Sequence, residues 1–595
     1  MICQTLIYAL YWLALTPRRG EPIIELLSGT VFFLFLPRRA GTQSHRCAMN
    51  AHKKGNKMSN KGVAKKAMAA IAAVGAMSMI LAGCGSDSAD KKQVDKDGKP
   101  LVKVMFQNAT NQDVKTMTWT KDLEKACGCT IEWSQVSDAQ WTQQKSATLS
   151  AGNPADVTIR GYHPADAQKY QFFEDLSDDL DKMPNVEAFF KEQPMAKGMV
   201  TTPDGKIYTL PRYSGKNYKT SGQHLFINKT WLDKLGLQVP KTWDELFKVM
   251  DAFKTQDPNG NGQADEIPYA MRNMGSDIGW WSPLLFLNST GISTQFNNSP
   301  SRFGAYVENG KVKNYLVSDQ LRETVEFLHT MIEKGYSPKD SLTQDSSKYY
   351  ASLTGSSDGK TATVGLAITN EPNAFGADLR DQYEAIEWPA SADGVTAAAD
   401  HSQDEGAFED YGVAVSADAP NKDAIYKLIN AMYDGKDNSI QQRFGAFGEW
   451  VTKDGDNTYT VNSKFFNLGA NDKSPAFADR FAGWIPDSVT INGDEAAARL
   501  KKADDVYAKA LEAVGKDYFP ITLLPSDADS TTLSNNSATY LTAAMPQIAK
   551  FIQNGGADDD ATWDAYVKGL QPLGLDENNQ LWQKWYEDAW KKIDE

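Results

Sequence analysis

The run Phe226-Ile-Asn228-Lys229-Thr-Trp231-Leu-Asp-Lys-Leu-Gly236-Leu, then Pro240-Lys-Thr242-Trp243-Asp-Glu245-Leu246, leads into Asp257-Pro-Asn259-Gly-Asn261-Gly262-Gln263-Ala-Asp265-Glu266. Its first residues close a short apolar strand, His224–Ile227. From Trp243 to Lys254 the apolar residues Trp243, Leu246, Phe247, Met250 and Phe253 recur on one face, which predicts an amphipathic helix. Thr242 stands at its N-cap and Glu245 three residues on, the pattern of a capping box. In the loop that follows, oxygen-bearing side chains stand at positions 1, 3, 5 and 9, with glycine at position 6. That is the spacing of an EF-hand-like Ca²⁺ loop. Asp257, Asn259, Asn261, the Gln263 carbonyl and Asp265 are the expected ligands. Pro268 occupies position 12, so Glu266 at position 10 has to supply the closing carboxylate. The ion's role would be structural. The alternative is a polar turn that binds nothing.

Outward from this run, short apolar strands alternate with helical patterns, which argues for α/β construction. Strands are expected at Leu101–Phe106, Thr130–Trp133, Asp156–Ile159, Ile207–Leu210, Thr363–Ile368 and Tyr411–Val415. Further helices are expected over Lys422–Asp434, stopped by Gly435, and over Gln580–Ile593. No internal repeat is found.

The 595 residues are 41% hydrophobic and 23% charged, which is ordinary globular composition. The length calls for at least two lobes. Charge is distributed unevenly. Residues 1–83 hold 11 Lys/Arg against 2 Asp/Glu, leaving 51 basic and 74 acidic residues, a net charge of −23, on the remaining 512. Such an acidic body repels phosphate backbones, so no nucleic-acid partner is expected. Residues 58–83 read as a secretory signal: Lys61, Lys65 and Lys66 precede an apolar stretch from Ala67 to Leu81 that is too short to span a bilayer. Residues 1–57 read as a mis-assigned N-terminal extension. Residues 84–100, rich in Lys and Asp, read as a flexible tether with a reach of roughly 23 Å. Cys127-Gly128-Cys129 reads as a helix end followed by a strand, with a local disulfide as the alternative.

Catalytic signatures are scarce. There is no G-x-S-x-G elbow, H-E-x-x-H, P-loop or G-x-G-x-x-G. His163, His224, His329 and His401 form no ligand spacing. Carboxylates are plentiful, so a glycosidase pair stays open on sequence. Trp280, Trp281, Trp388, Trp450 and Trp484 lie near Gly and Pro in apparent loops, where exposed rings could stack on sugar faces.

Several stretches together resemble the bacterial extracellular solute-binding proteins of family 1, in their long lipoprotein form. Leu81-Ala-Gly-Cys84 resembles a lipobox, which implies lipidation of Cys84. Ala151-Gly-Asn-Pro-Ala-Asp156-Val, Pro203-Asp-Gly205-Lys-Ile-Tyr208-Thr-Leu-Pro211, the run from Phe226 to Leu246 with its cation loop, Tyr411-Gly412-Val-Ala-Val, and Trp563-Asp-Ala-Tyr-Val-Lys-Gly-Leu carry the likeness over roughly residues 101–595. The resemblance implies a two-lobed periplasmic-binding-protein-like clamp of type II with hinge strands. Lobe 1 would be 101–211 plus 412–460, and lobe 2 would be 212–411 plus 461–595. It implies a monomer and no enzyme: an oligosaccharide-binding subunit anchored by lipid on the outer face of the cytoplasmic membrane, delivering its ligand to the permease subunits of an ABC importer. A surface glycoside hydrolase, or the same clamp binding a peptide, are the alternatives. Expected ligand contacts, chosen from loops after strand ends, are Asn108, Trp119, Arg160, Tyr162, Arg212, Tyr213, His224, Trp280, Trp281, Asn370, Glu371, Trp388, Trp450 and Trp484.

Overall fold

The computed structural model describes residues 93–594 apart from 110, 276–277, 298 and 469–471. The expected extension, signal segment and Cys84 lie outside the described residues. Among these residues the strands, in chain order, are β1 (Leu101–Asn108), β2 (Thr130–Ser137), β3 (Val157–Ile159), β4 (Thr209–Tyr213), β5 (His224–Asn228), β6 (Ile267–Ala270), β7 (Ala305–Glu308), β8 (Lys311–Asn314), β9 (Val364–Thr369), β10 (Tyr383–Ile386), β11 (Phe408–Val415), β12 (Val451–Gly455), β13 (Thr458–Val461) and β14 (Thr490–Asn492).

Two sheets organise two lobes. The first has the order β2-β1-β3-β11-β4, with β2, β1 and β3 parallel and β11 antiparallel to both of its neighbours. The second has the order β10-β5-β9-β6, with β6 parallel to β9. Helices cover both sheets, as a mixed sheet with apolar residues on both faces requires. The two apolar cores are distinct. Val104, Phe106, Val157, Ile159, Leu210 and Val413 centre the first, and Leu225, Phe226, Leu366, Ile368, Leu246 and Phe253 the second. The first core also takes Phe477, Phe481, Trp484 and Ile485, from a part of the chain expected in the second lobe.

The capped helix forms as its sequence dictates. It spans Trp243–Thr255 and buries Trp243, Leu246, Val249, Met250, Ala252 and Phe253. Thr242 Oγ1 accepts from the Glu245 amide at 3.3 Å, and Glu245 Oε2 accepts from the Lys241 amide at 2.7 Å. The reciprocal bond thus falls one residue before the cap, and the Trp243 amide donates to the Ala390 carbonyl, tying the helix start to the loop beyond β10.

Two expectations need correcting. Residues 93–100 were assigned to the flexible tether, yet Val94 bridges Pro100 and Asp95 Oδ1 accepts from the amides of Asp97 and Lys99. Asn421 Nδ2 then donates to the Gln93 and Leu101 carbonyls and fastens this turn to the first lobe. Helix Thr120–Cys127 does end at Gly128 and strand β2 does follow, but Cys127 and Cys129 are also joined by a disulfide. The turn at Gly128 brings their Cα atoms to 5.2 Å, inside the range a disulfide spans.

Candidate functional site

Both sheets present the carboxyl ends of their parallel strands to the candidate site, the usual place for ligands in open α/β sheets. In the first lobe, β1 ends at Asn108, Asp138 follows β2, and Arg160 follows β3. In the second, Arg272 follows β6 and Asn370 follows β9.

The second lobe carries an aromatic cavity of about 430 Å³, lined by Tyr218, Thr220, Ser221, Gly222, Arg272, Trp280, Trp281, Tyr350, Asn370, Gly406 and Leu500. Trp281 anchors it. Its amide donates to Gln223 Oε1 and its indole Nε1 to the Gly222 carbonyl, both at 2.9 Å. Its φ of 56° lies in the left-handed region, a strained choice for a bulky residue that these bonds hold in place. Trp280 and Tyr350 meet Trp281 edge-on, with ring centroids 6.0 and 5.9 Å away. The Arg272 guanidinium lies 5.3 Å over the Trp281 ring and donates to the Trp280 carbonyl. Gly222 has φ +67°, and a Cβ there would come within 2.9 Å of the Trp280 ring, so glycine lets the indole settle. Trp280 and Tyr350 are 39% and 40% exposed. Besides them, Val94 is the one other large apolar side chain this exposed among the described residues.

Tyr218 links this cavity to a charged cluster where the lobes meet. The Arg443 guanidinium stacks 4.0 Å over the Tyr218 ring, and Tyr218 donates to Asp494. Arg443 and Arg212 also lie 5.5 and 5.6 Å from the Phe481 ring. Glu409 faces Arg212 across the β11–β4 ladder, which places an ion pair at 3.1 Å. The ladder slips between Glu409 and Val413, and this irregularity re-aims the strand so that Arg160 reaches both Glu409 at 3.3 Å and the Tyr411 hydroxyl at 2.9 Å. Gly412 makes the slip possible, since a Cβ there would stand 2.7 Å from the Leu210 carbonyl oxygen. Asp138 receives Arg480 at 2.7 Å and Arg160 at 3.9 Å. Burial disfavours the Arg160 charge, but Glu409, Tyr411 and Asp479 together outweigh it and hold the guanidinium above its ordinary value. Past Tyr411, the His163 ring packs tilted against the Tyr411 ring with centroids 4.2 Å apart and shares a 2.7 Å hydrogen bond with Asp410. Burial lowers the His163 pKa, but Asp410 and then Asp166 outweigh it, so the net shift is upward. His163 and Tyr411 line two further cavities, of about 340 and 450 Å³.

Of the residues expected at the site, Arg160 and Arg212 meet on Glu409, while Trp280, Trp281 and Asn370 meet in the aromatic cavity. Glu371 adjoins Asn370 and pairs with Arg499 at 3.1 Å. The others have different duties. Asn108 is buried and donates to the carbonyls of Ala109 and Gln112. Trp119 donates to the Pro475 carbonyl and meets Phe477 edge-on in the first core. Tyr162 packs between Trp141 and Phe173. Tyr213 stacks on Phe408 and donates to Asp487. His224 is fully buried between the Asn370 carbonyl and Asp504. Trp388 packs on Phe286 in the second core, and Trp484 donates to the Tyr433 carbonyl in the first. Trp450 immediately precedes β12 of the three-stranded sheet β12-β13-β14 and lines none of these cavities. Loops near Gly and Pro fold back over the sheets and take two of the five loop indoles, Trp388 and Trp484, into the cores. Tyr218, Arg272, Tyr350, Glu409, Tyr411 and Arg443 were missed by the sequence reading.

The Asp257 loop is wound about its own carboxylates. Asp257 accepts from the amides of Gly260, Asn261 and Gly262 at 2.9–3.1 Å, and the Nδ2 atoms of Asn259 and Asn261 donate to Asp265. Glu266 Oε1 is buried with no partner. Burial, then Asp265 and Asp257, push the Glu266 pKa up. Among the described residues, no three or more His, Cys, Asp and Glu side chains converge as a metal-ligating set.

Comparison with known proteins agrees with this architecture. The family described as bacterial extracellular solute-binding protein matches residues 106–437. A solved structure of a solute-binding protein from Bifidobacterium longum infantis, described as binding HMO and associated with an ABC transporter, is 45% identical. It covers 83% of this chain and 99% of its own, with a TM-score of 0.79. The fructooligosaccharide ABC transporter substrate-binding protein FusA of Streptococcus pneumoniae is 27% identical over 85% of this chain and 95% of its own length. A structure of FusA described as an EF-hand mutant in complex with fructo-nystose aligns over 82% of this chain and 99% of that one, at 24% identity and a TM-score of 0.62. The polygalacturonan/rhamnogalacturonan-binding protein YtcQ of Bacillus subtilis is 28% identical over 44% of this chain and 50% of its own.

Proposed function

The chain belongs to the bacterial extracellular solute-binding protein family, and on that premise we propose that it captures an oligosaccharide between its lobes and hands it to an ABC permease. The observation that carries this reading is the aromatic cavity. Exposed apolar rings cost free energy in water unless something covers them. Trp280 and Tyr350 offer ring faces beside Thr220, Ser221 and Asn370, the combination that suits a sugar with an apolar face and hydroxyl edges. The ligands of the relatives, a fructooligosaccharide and HMO among them, support the same class. Capture is by stacking and hydrogen bonding, with no bond made or broken. Closure then follows from tighter binding to the closed arrangement than to the open one.

The lobes are proposed to divide by core membership: residues 101–213 and 407–491 in the first, 214–406 and 492–594 in the second. β4 and β11 are the crossing strands. Cys84 is proposed as the lipid anchor on the outer face of the membrane, with the body acting as a monomer.

A Ca²⁺ ion is proposed in the Asp257 loop. The residues fit one: Glu266 Oε1 is buried without a donor, and the Asn259 and Asn261 amides, turned end for end, would present oxygens in place of Nδ2. Asp257, Asn259, Asn261, the Gln263 carbonyl, Asp265 and Glu266 would hold it. When bound, the ion supplies positive charge that relieves the crowding of three carboxylates. Its work is structural, closing the loop that joins helix Trp243–Thr255 to β6.

A thermal-shift screen of the mature chain against oligosaccharides and peptides tests the reading, since a ligand specific for the native state raises the melting temperature. A sugar should raise it without release of reducing ends. A shift with peptides alone, or hydrolysis of the sugar, would overturn the proposal.

A further inference from the structure

We propose that the aromatic cavity holds an acidic sugar, whose ring stacks on Trp280 and Tyr350 while its carboxylate meets Arg272. This rests on the oligosaccharide reading above and names the ligand class within it. Among the described residues lining the cavity, Arg272 is the one charged side chain and none is acidic. No carboxylate among the described residues pairs with it. Its Nη1 donates to the Trp280 carbonyl, and its Nε is buried without an acceptor. A guanidinium can grip a carboxylate side-on through Nε and Nη2, with two parallel bonds from one edge of a planar fork. Spending Nη1 leaves that edge whole. The Trp280 carbonyl and the Trp281 ring, 5.3 Å from the guanidinium, fix its plane and so aim the edge.

Bracing the rings does not by itself account for the charge. A half-buried cation with no anion beside it has given up hydration without compensation, and an incoming carboxylate supplies both the charge and the missing acceptor. The arginines of the first lobe differ in this respect: Arg160 and Arg212 pair with Glu409, and Arg480 with Asp138. Arg443 adds positive potential behind the cavity. It is 5% exposed, its Nε and Nη1 lack acceptors, and it lies 4.0 Å over Tyr218, a lining residue. Thr220, Ser221 and Asn370 remain for the hydroxyls of the same sugar. The net charge of −23 on residues 84–595 opposes anions at long range. Salt screens exposed charges beyond about 8 Å at physiological ionic strength, so contact at Arg272 outweighs that opposition.

The test is isothermal titration of the mature chain with matched pairs: tetragalacturonate against its full methyl ester, and sialyllactose against its methyl ester. The first pair supplies the carboxylate from a uronic acid and the second from a sialic acid. In one pair the acid should bind tighter than its ester by about 10-fold or more, the scale of a charge-assisted hydrogen bond, and that pair identifies the source. Arg272→Gln should cancel the difference, whatever it does to both members in common. Arg272→Lys, which keeps the charge without the fork, should retain only part of it. Equal weakening of acid and ester by Arg272→Gln, with their difference intact, overturns the assignment to Arg272. An ester that binds as tightly as its acid in every pair that binds overturns the inference and leaves oligosaccharide capture standing. If neither pair binds, the inference falls too. A melting-temperature shift with an uncharged oligosaccharide then keeps the oligosaccharide reading, and a shift with peptides alone removes both.

Discussion

Replacing Trp280 by alanine should separate recognition from stability. The side chain is 39% exposed. A tryptophan presents on the order of 250 Å², so about 100 Å² of ring is free for a ligand to cover. At about 25 cal/mol per Å², full coverage is worth about 2.5 kcal/mol, and a sugar covering two-thirds of it about 1.7 kcal/mol. That range corresponds to roughly a 20- to 70-fold rise in Kd. Stability should change far less, because Trp281 keeps its own bonds to Gln223 and Gly222. Trp388→Ala gives the contrast: that indole is 2% exposed against Phe286, and its loss should cost about 3–5 kcal/mol of stability. Titration calorimetry with the strongest ligand from the screen, beside melting curves without ligand, reads both effects. An unchanged Kd for Trp280→Ala at unchanged stability would refute the assignment of this cavity to the ligand.

Calcium should raise the melting temperature of chelator-treated protein, by the equivalent of about 2.7 kcal/mol at a hundred times its Kd. Asp257→Ala should abolish the difference, and identical curves with and without chelator would refute the site. In chelator the raised Glu266 pKa adds a pH dependence of definite sign: its contribution is whole below the ordinary carboxylate range and is lost as pH rises through the folded value. Glu266→Gln should therefore flatten part of the stability decline in chelator but none of it in Ca²⁺, as urea midpoints across pH would show. His163 is raised by Asp410 and Asp166 against burial and the charge of Lys145. Its stabilisation is whole below about pH 6.5 and fades as pH rises through the folded value. Asp410→Asn should accordingly lose stability on the acid side of that window and little above it. A uniform loss at every pH would show that the pair does not titrate there.

Much of the fold was legible in the sequence, because short apolar runs and a strong cap signal leave few alternatives. β5, β9 and the helix Trp243–Thr255 fall within a residue or two of expectation. β11 begins three residues earlier than its apolar pattern, because Phe408, Glu409 and Asp410 turn toward Tyr213, Arg160, Arg212 and His163 instead of alternating across a core. The site was half legible for a related reason. Trp280 and Trp388 look alike in sequence, both in loops with turn residues nearby, and only the packing of distant elements exposes one and buries the other. Arg443 sits in helix Asp437–Phe444, where a charge reads as surface; it is buried because Tyr218 and Phe481 close over it. Asp400 and Asp404 lie in an acid-rich segment, yet both side chains are buried. An Arg-to-Glu pairing across 249 residues, such as Arg160 with Glu409, leaves no local signal.

Attaching a donor dye in the first lobe and an acceptor in the second, then measuring energy transfer as oligosaccharide is added, tests the central claim most directly. The account requires the inter-lobe distance to shorten on binding, in proportion to occupancy, with the sugar recovered intact afterwards. Saturable binding with no change in distance, or a sugar recovered in fragments, would contradict it.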